Sequence, residues 1–411
     1  MKIVICGGGT AGWLAALMIS TIHKDKHDIT VIESSKIPIV GAGEGSTGLL
    51  GFIIRNDSFD FGCNEEDFLK EADATLKLGI VHKDWYKKGV SYTAPLDASP
   101  TATDRLDTLF CHTLINNISP NLCSYDGVLL DQHKTNFMQG SGFPAGSKSH
   151  AYHFDAFKVG KYFKKICLTK GIKHIDCEIL DVMIGDEGIK SLTMADGSSV
   201  TSDLFIDCTG FARKLVKAMG IDWHSYRKNL PINSAMPFLV DYKDEVVDPS
   251  TLAWAQGAGW MWRIPTASRY GCGYVFDDNF ISEDEAKREI EASLGHEITP
   301  IRVLKFDTGR LDKLWHKNCL ALGLCAAFAE PLEATSIHTT IVQIYKFIFG
   351  YLKESKEATL NSGSQAIYNK LMGKMYDDMR DFLVMHYQTQ RTDTEFWRWR
   401  SEEHTSELQS H

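Results

Sequence analysis

The 411-residue sequence lacks the patterns that mark several classes of protein. Its ten cysteines include no C-x-x-C pair and its fifteen histidines form no H-E-x-x-H motif, so neither a disulfide framework nor a zinc site is indicated. A formal net charge of -9 and the lack of a basic run argue against a nucleic-acid partner. No apolar run approaches the roughly 18 residues that cross a membrane. These absences predict a reduced, cytoplasmic protein that binds small molecules.

The chain also lacks an internal repeat and a long linker rich in proline or serine. It begins in an apolar segment without a basic leader, so no standard secretion signal is indicated. A hydrophobic content of 44% supports a large core. We predict a discontinuous core with a substrate-facing lobe at residues 1–352 and the start of a helical lobe at 353–399. Homodimer formation is left open.

The first residues carry a dinucleotide-binding motif. An apolar segment at residues 1–6 leads into a G-x-G-x-x-G pattern formed by Gly7, Gly9 and Gly12, which opens an apolar helix. Gly7 permits the turn, Gly9 lets a pyrophosphate approach the helix N-terminus, and Gly12 lets helix and strand pack closely. About 20 residues further on, an apolar strand ends at Glu33, the carboxylate expected to bind a ribose hydroxyl.

Two further segments favour FAD over NAD. A second glycine cluster includes Gly43 and Glu44, at the point where a flavoprotein needs close backbone approach to the isoalloxazine or ribityl chain. Another apolar strand ends at Asp207 and is followed by Gly210, an arrangement similar to the second FAD signature of flavin monooxygenases. Either segment alone would be interpreted as an ordinary loop. Together with the first motif they indicate FAD.

A tryptophan-rich stretch at residues 259–265 is the most informative part of the chain. Trp260 and Trp262 lie two residues apart, so an extended segment presents both indoles on one face. Pro265 keeps the preceding Ile264 extended. A buried strand that packs two large side chains would explain a single tryptophan pair. The stretch resembles the W-x-W-x-I-P signature of flavin-dependent halogenases, the tryptophan halogenase family.

Lys77 lies in an alternating segment that places Lys77 and Gly79 on one strand face and apolar side chains on the other. A lysine between apolar neighbours can have its charge tuned, which suits it to handling an electrophile. Spacing alone nevertheless favours a solvated strand lysine. The segment is similar to the halogenase stretch that carries the catalytic lysine.

A second group of candidate residues precedes a C-terminal helix. The backbone N–H groups of Thr335 and Ser336 are expected at the helix N-terminus, where they form an anion site that suits a halide. Glu333 stands beside this site as a carboxylate that could orient or deprotonate a substrate. Simple helix capping by Thr335 is compatible with this interpretation.

The resemblance extends almost from Met1 to Trp399. It implies an α/β fold with an FAD-binding Rossmann-like core of the flavin monooxygenase type, an inserted β-rich substrate lobe and a C-terminal helical segment. It further implies that a separate flavin reductase supplies reduced FAD and that Lys77 presents halogen from hypohalous acid to an electron-rich indole or phenol. Glu333 would stabilise the cationic ring or position the substrate.

Several points stay open. An aromatic hydroxylase of the same fold and a catalytically inactive flavin-binding fragment are the alternatives. Ala334 replaces a serine common in the family, and no substrate-stacking aromatics are recognisable between Tyr92 and Phe110. Residues 400–411 are similar to a translated sequencing adapter, so we expect them outside the fold, after a shortened C-terminal lobe. The sequence identifies neither the substrate, its regiochemistry nor the preferred halide.

Overall fold

A computed structural model describes residues 1–37, 41, 43–96, 111–113, 115–135, 150–243 and 247–408, with the backbone alone at 120, 123 and 402–408. Residue 42 of the second glycine cluster, the stretch 97–110 and the last three residues of the expected tail lie outside these ranges.

The elements follow in chain order. The strands are β1 (Lys2–Cys6), β2 (Asp28–Glu33), β3 (Glu44–Gly45), β4 (Thr75–Lys77), β5 (Gly79–Lys83), β6 (Ser91–Pro95), β7 (Ala151–Phe154), β8 (Lys173–Asp176), β9 (Ile179–Gly185), β10 (Gly188–Met194), β11 (Ser199–Val200), β12 (Leu204–Asp207), β13 (Trp223–Ser225), β14 (Ser234–Val240), β15 (Ser250–Ala255), β16 (Gly259–Pro265), β17 (Tyr270–Phe276), β18 (Leu304–Lys305), β19 (Gly309–Leu311), β20 (Trp315–His316), β21 (Cys319–Ala321) and β22 (Ala327–Phe328). The helices are α1 (Thr10–His23), α2 (Gly48–Ile54), α3 (Glu65–Glu71), α4 (Tyr125–Asp131), α5 (Ala156–Thr169), α6 (Lys214–Ala218), α7 (Glu283–Leu294), α8 (Thr335–Gly350), α9 (Lys356–Thr359), α10 (Ser362–His386) and α11 (Glu395–Leu408).

The first layer is a six-stranded sheet in the order β20-β21-β12-β1-β2-β8. Strands β21, β12, β1, β2 and β8 are parallel, and β20 is antiparallel. Helix α1 connects β1 to β2 and packs against α5 and α8. The apolar residues of β1 are fully buried, as expected for a parallel strand covered on both faces. This α/β layer confirms the core expected from the first glycine motif.

The second layer is a seven-stranded sheet in the order β18-β14-β17-β16-β15-β5-β6. Its pairs are antiparallel except β15 with β5. The tryptophan-rich stretch forms the central strand β16, between β15 and β17. The apolar pattern at residues 254–264 predicts one strand, but Trp254 belongs to β15, because a turn closed by Gln256 and Gly259 reverses the chain before Trp260.

The structure overturns the alternation expected around Lys77. Strand β4 pairs with β7 in a three-stranded sheet, whereas β5 belongs to the seven-stranded sheet. Lys77 and Gly79 therefore lie in different sheets, and the chain crosses between them at Leu78, whose N–H donates to the carbonyl of Pro249. Leu76, Lys77 and Leu78 are all buried, so this segment does not alternate between a buried face and an exposed face.

Local signals located some of the other elements. The turn residues Gly185 to Gly188 between apolar runs predict a hairpin, which is confirmed as β9 and β10. Asn64 before an acidic first turn predicts a capped helix that runs to about residue 75; the Asn64 side chain does accept from the N–H of Asp67, but the helix ends at Glu71. Residues 199–206 form two short strands instead of one. In the described ranges, no helix is long and apolar enough to cross a membrane.

The expected tail boundary at residue 400 does not coincide with the edge of the fold. Arg400 is 1% exposed and lies within α11. Its Nη1 donates to the carbonyl of Asn229 at 2.6 Å, and its guanidinium lies 4.0 Å from the centre of the Tyr387 ring. Arg400 is therefore part of the packed structure.

Candidate active site

In the first glycine motif, two glycines lie too close to other backbone atoms to carry a side chain, and one faces open space. Gly7 has φ +114°, and a Cβ there would lie 2.2 Å from the carbonyl oxygen of Cys208. A Cβ on Gly12 would lie 1.9 Å from the Gly7 oxygen, whereas a Cβ on Gly9 would meet no atom within 4 Å. Gly9 precedes α1 directly. The open surface at Gly9 thus lies where a helix N-terminus favours phosphate.

Glu33 lies at the end of β2 against this turn. A Cβ on Gly8 would overlap its carboxylate, at 1.6 Å from Oε2. Its Oε1 lies 2.6 Å from Nζ of Lys164 and 2.9 Å from Nε2 of His174. The carboxylate is therefore held in place next to the glycine turn, as the expected ribose contact requires.

Asp207 has an internal role that the sequence did not reveal. Its Oδ1 accepts from the N–H and hydroxyl of Thr209, and its Oδ2 accepts from the N–H groups of Leu215 and Val216. The residue is fully buried. Asp207 therefore shapes the loop between β12 and α6 through these four hydrogen bonds. Gly210 has φ +62°, and a Cβ there would meet no atom within 4 Å.

The second glycine cluster lies against the β-rich sheet. Gly43 has φ +121°, and a Cβ there would lie 3.2 Å from Cα of Gly271, so the two segments are in close contact. Burial, together with the charge of Asp155, raises the pKa of the neighbouring Glu44 to about 7. Glu44 is thus a carboxyl group that changes charge near neutral pH.

Lys77 is buried, with only 1% of its surface exposed, so the expectation of a solvated lysine is wrong. Burial lowers the pKa of its amine from 10.5 to about 8, although the negative charge of Glu333 acts in the opposite direction. A Cβ on Gly45 would lie 3.2 Å from Nζ of Lys77 and 3.6 Å from Cβ of Ala334. The absence of a side chain at Gly45 leaves room for the amine between these segments.

A neutral histidine lies near Lys77 on β7, where His153 pairs with Thr75. His153 is fully buried, and its Nε2 lies 2.8 Å from Oγ1 of Thr251. Burial lowers its pKa well below the ordinary value, and the charge of Lys77 lowers it further. The sequence assigned no role to His153, and with its pKa lowered it contributes no second positive charge beside the amine.

A left-handed turn joins the two groups of candidate residues. Glu333 has φ +64° and Ala334 φ +54°, conformations that non-glycine residues seldom adopt. The turn leads directly into α8, so Thr335 is the first helical residue and Ser336 the second. Thr335 is buried, whereas Ser336 is exposed. The structure therefore places both expected anion-binding residues at a helix N-terminus, immediately after Glu333.

Two histidines from distant segments face the carboxylate of Glu333. Nε2 of His82 lies 3.1 Å and Nε2 of His386 lies 3.3 Å from Oε1 of Glu333. Burial alone would raise the pKa of Glu333, but the contacts with His386 and His82 outweigh burial and hold it well below the ordinary value. Conversely, burial lowers the pKa of His386, but Glu333 outweighs this effect and raises it. Glu333 is thus ionised at neutral pH.

These two histidines belong to no zinc motif because each lies in a different segment. His82 is five positions beyond Lys77 in the sequence, on β5, and His386 ends α10. Zinc motifs are defined by the spacing of neighbouring residues, so they cannot reveal a group that the fold assembles. No local signal marked His82.

An aromatic cleft of about 530 Å³ lies beside this group. The imidazole of His82 stacks on the ring of Tyr92, with centroids 4.7 Å apart and an interplanar angle of 10°. Burial and the charge of Glu333 raise the pKa of Tyr92 to about 12. The residues that line the cleft are Trp85, Tyr86, Val90, Tyr92, Phe382, Met385, His386, Gln388 and Thr389.

The tryptophan-rich stretch builds the wall behind the site. Trp260 is 2% exposed, and its Nε1 lies 3.5 Å from Oε2 of the buried Glu330, which also accepts from the Tyr387 hydroxyl. Trp262 lies on the same strand face, 6.4 Å from Trp260 between ring centroids. Ile264 and Pro265 are buried. The signature residues therefore contribute mainly through packing.

The comparisons with known proteins agree with this arrangement. A family model described as tryptophan halogenase matches residues 2–411. Relatives include the 7-chloro-L-tryptophan 6-halogenase KtzR of Kutzneria sp., which is 33% identical and aligns with 96% of this chain and 81% of the relative. The tryptophan 7-halogenase RebH of Lentzea aerocolonigenes is 32% identical, over 97% of this chain and 78% of the relative.

Solved structures of similar proteins share the fold. A tryptophan 6-halogenase (SttH) from Streptomyces toxytricini matches with a TM-score of 0.87 and 28% identity, over 98% of this chain and 82% of that chain. A flavin-dependent halogenase from Xanthomonas campestris matches with a TM-score of 0.85 and 28% identity, over 97% and 79%. This chain belongs to the tryptophan halogenase family and is a flavin-dependent halogenase.

Proposed function

We propose that the protein uses reduced FAD, oxygen and a halide ion to halogenate an electron-rich indole or phenol, with hypohalous acid relayed to Lys77. The observation that carries this proposal is the burial of the Lys77 amine beside Gly45 and Ala334, next to the turn that bears Glu333. Burying an amine costs free energy, so a buried lysine with a shifted pKa indicates a functional site. The tryptophan chemistry named for the relatives supports the substrate class.

The residues present fit FAD. A Cβ on Gly9 or Gly210 would meet no atom within 4 Å, so both backbone positions leave open space in which a ligand can lie. Gly9 stands at the N-terminus of α1, which favours the pyrophosphate, and Glu33 lies against the same turn for the ribose. When bound and reduced, FAD would supply two electrons to oxygen and the halide would supply the other two, so that hypohalous acid and water are the products.

The halide is held by the backbone. The first N–H groups of an α-helix lack intrahelical partners, and the helix dipole adds about half a positive charge at that end. In this chain those groups belong to Thr335 and Ser336 at the start of α8. A halide bound there would lie at the same turn as Ala334, whose Cβ is close to Gly45 and thus to Lys77.

Lys77 then presents the halogen to the ring. With a pKa of about 8, the amine is mainly protonated at neutral pH and can donate a hydrogen bond to hypohalous acid. Its burial excludes bulk water, which would otherwise let the oxidant diffuse away. The amine therefore orients the reagent and limits its escape.

Glu333 stabilises the ring cation that forms when halogen adds. A carboxylate whose pKa is held low is a weak base but carries a full negative charge at every working pH. That charge favours a cationic intermediate in a site largely shielded from water. The aromatic cleft lined by Trp85 and Tyr92 offers flat surfaces for the ring, and His386 connects the cleft to Glu333.

A separate flavin reductase is the partner that this proposal requires, since the sequence contains one dinucleotide motif and that motif is assigned to FAD. The test is a mass-spectrometric screen of indoles and phenols with FAD, NADH, an added reductase and chloride, bromide or iodide. We expect halogenated products only when halide and reductase are both present. Hydroxylated products that form without halide would support the hydroxylase alternative. Rapid NADH oxidation by the protein alone would contradict the proposal that a separate reductase supplies reduced FAD.

A further inference from the structure

Three ligand-type side chains converge beside the aromatic cleft. His82, Glu333 and His386 each direct one nitrogen or oxygen into a group whose atoms all lie within 4.8 Å of one another. The two distances to Oε1 of Glu333 are 3.1 Å from His82 and 3.3 Å from His386. Ligands about 2.1 Å from a tetrahedral ion are about 3.4 Å apart, so both separations match two edges of such a site.

The histidines are placed as metal ligands commonly are. Nδ1 of His386 lies 3.0 Å from the carbonyl oxygen of Phe382, one turn earlier in α10. A histidine that gives one ring N–H to a carbonyl presents the other nitrogen, as a lone pair, to a metal ion. Here that second nitrogen is Nε2, the atom that faces Glu333.

His82 supplies an independent observation. It is 1% exposed, and within the described residues neither of its ring nitrogens has a well-aligned hydrogen-bond partner. Oε1 of Glu333 is in the same situation. Nε2 of His82 and Oε1 of Glu333 approach to 3.1 Å but are not aligned as a hydrogen bond. Buried polar atoms normally have well-aligned partners, so this arrangement indicates a missing partner. An ion between them would satisfy both residues.

We infer that His82, Glu333 and His386 form a binding site for a divalent transition-metal ion such as Zn²⁺. Two imidazoles and one carboxylate suit zinc or cobalt rather than magnesium or calcium, which prefer an all-oxygen shell. His386 borders the cleft, so water from the cleft completes the coordination. The bound cation neutralises the negative charge of Glu333, so the ring cation is no longer stabilised and halogenation is inhibited. This inhibition rests on the proposed function, whereas metal binding itself does not.

The direct test is a Co²⁺ titration followed by the visible absorption of the bound ion. The full chain is purified without a polyhistidine tag. Every protein in the titration carries His27→Gln, because ring nitrogens of His27 and His23 lie 3.0 Å apart and could bind Co²⁺ themselves. We expect one Co²⁺ per chain, displaced by Zn²⁺. Since loss of an outer partner alone costs about 10–100-fold in affinity, H82Q and H386Q should each weaken binding at least about 100-fold.

The matched control is His296→Ala, which removes a partly exposed histidine whose Nδ1 lies 2.9 Å from the neighbouring carbonyl oxygen of Glu297. It should bind Co²⁺ like its parent. If H82Q fails to fold, as judged by its melting temperature and FAD binding, the less buried His386 provides the same test. No absorption band, or unchanged affinity in folded H82Q or H386Q, overturns the site.

The second readout is halogenation with and without Zn²⁺. We expect Zn²⁺ to inhibit halogenation and a chelator to reverse the inhibition. Across the variants, weaker Co²⁺ binding should go with weaker inhibition by Zn²⁺. Co²⁺ binding without Zn²⁺ inhibition would overturn the inhibitory role and leave the site standing. A protein that binds Co²⁺ but never halogenates any ring, even free of metal, would contradict the proposed function instead.

Discussion

Nε2 of His386, at the end of α10, lies 3.3 Å from Oε1 of Glu333, in the turn before α8. The contact raises the pKa of the imidazole against the effect of burial and helps to hold the pKa of the carboxyl group low. Each residue therefore favours the charged form of the other. Helix α10 thus helps to keep ionised the residue that we assign to stabilise the ring cation.

Replacing Glu333 by glutamine should remove this charge with little change of shape. Loss of one group that stabilises a transition-state charge typically costs about 100-fold or more, so kcat should fall by that order, with a smaller effect on KM. The His386 pKa, followed by NMR, should fall in E333Q because burial then acts without its counter-charge. The signal of the partly exposed His296 is the internal control. An unchanged kcat would contradict the role of Glu333.

Replacing Lys77 by methionine should stabilise the protein while abolishing ring halogenation. A shift from 10.5 to about 8 corresponds to about 3 kcal/mol. Below pH 8 the amine is charged in both the folded and unfolded states, so the folded state bears the full free-energy penalty of burying the charge. Between pH 8 and 10.5 the amine loses its proton in the folded state but not in the unfolded state, and this penalty declines. The advantage of K77M in free energy of unfolding should therefore be largest below pH 8.

Chemical denaturation at pH 7 and pH 10 measures this difference for K77M. Lys87→Met, which alters an exposed lysine of the same region, should show no comparable pH-dependent gain. FAD binding by K77M should be unchanged, since the lysine acts after the halide is oxidised. Regioselective halogenation by K77M would refute the role of Lys77, and loss of FAD would show that the lysine is structural.

Halide saturation should depend on the backbone at Thr335 more than on its hydroxyl. Thr335→Val removes only the hydroxyl and should leave the apparent halide constant within about twofold, because the proposed donors are N–H groups. Thr335→Pro deletes one N–H at the first helical position, where proline is compatible with a helix, and should raise that constant. Circular dichroism and FAD binding show whether the left-handed Ala334 tolerates the proline. A large effect of valine would identify the hydroxyl as the ligand.

The first glycine motif offers a matched pair of variants. Gly9→Ala places a methyl group in open space, so it should change the free energy of unfolding by about 1 kcal/mol or less while weakening FAD binding. Gly12→Ala places the methyl group 1.9 Å from the Gly7 oxygen and should destabilise the whole fold. Fluorescence quenching of FAD and thermal melting separate the two effects. Equal FAD affinity in G9A and the parent would place the phosphates elsewhere.

Local spacing in the sequence was sufficient for the parts of the protein whose geometry is local. The glycine motif between β1 and α1 requires particular residues at fixed separations, because a tight turn and close packing constrain a few consecutive positions. The tryptophan-rich strand and the hairpin around residues 185–188 follow from two-residue alternation and turn chemistry in the same way. The position of Thr335 at a helix N-terminus was likewise predicted from neighbouring residues.

Only the tertiary structure determined the burial and the charge states of the site residues. Lys77 is buried because two sheets meet at Leu78, and Asp207 turns inward because α6 offers its N–H groups. The group around Glu333 brings together β5, the turn before α8 and the end of α10. Burial and charge depend on every atom nearby, whatever its place in the chain, whereas spacing reports only neighbours along it. The sequence by itself therefore determined the local motifs and the candidate residues within them, and three-dimensional packing determined the charge states and partners of these residues and brought in His82, which no motif marked.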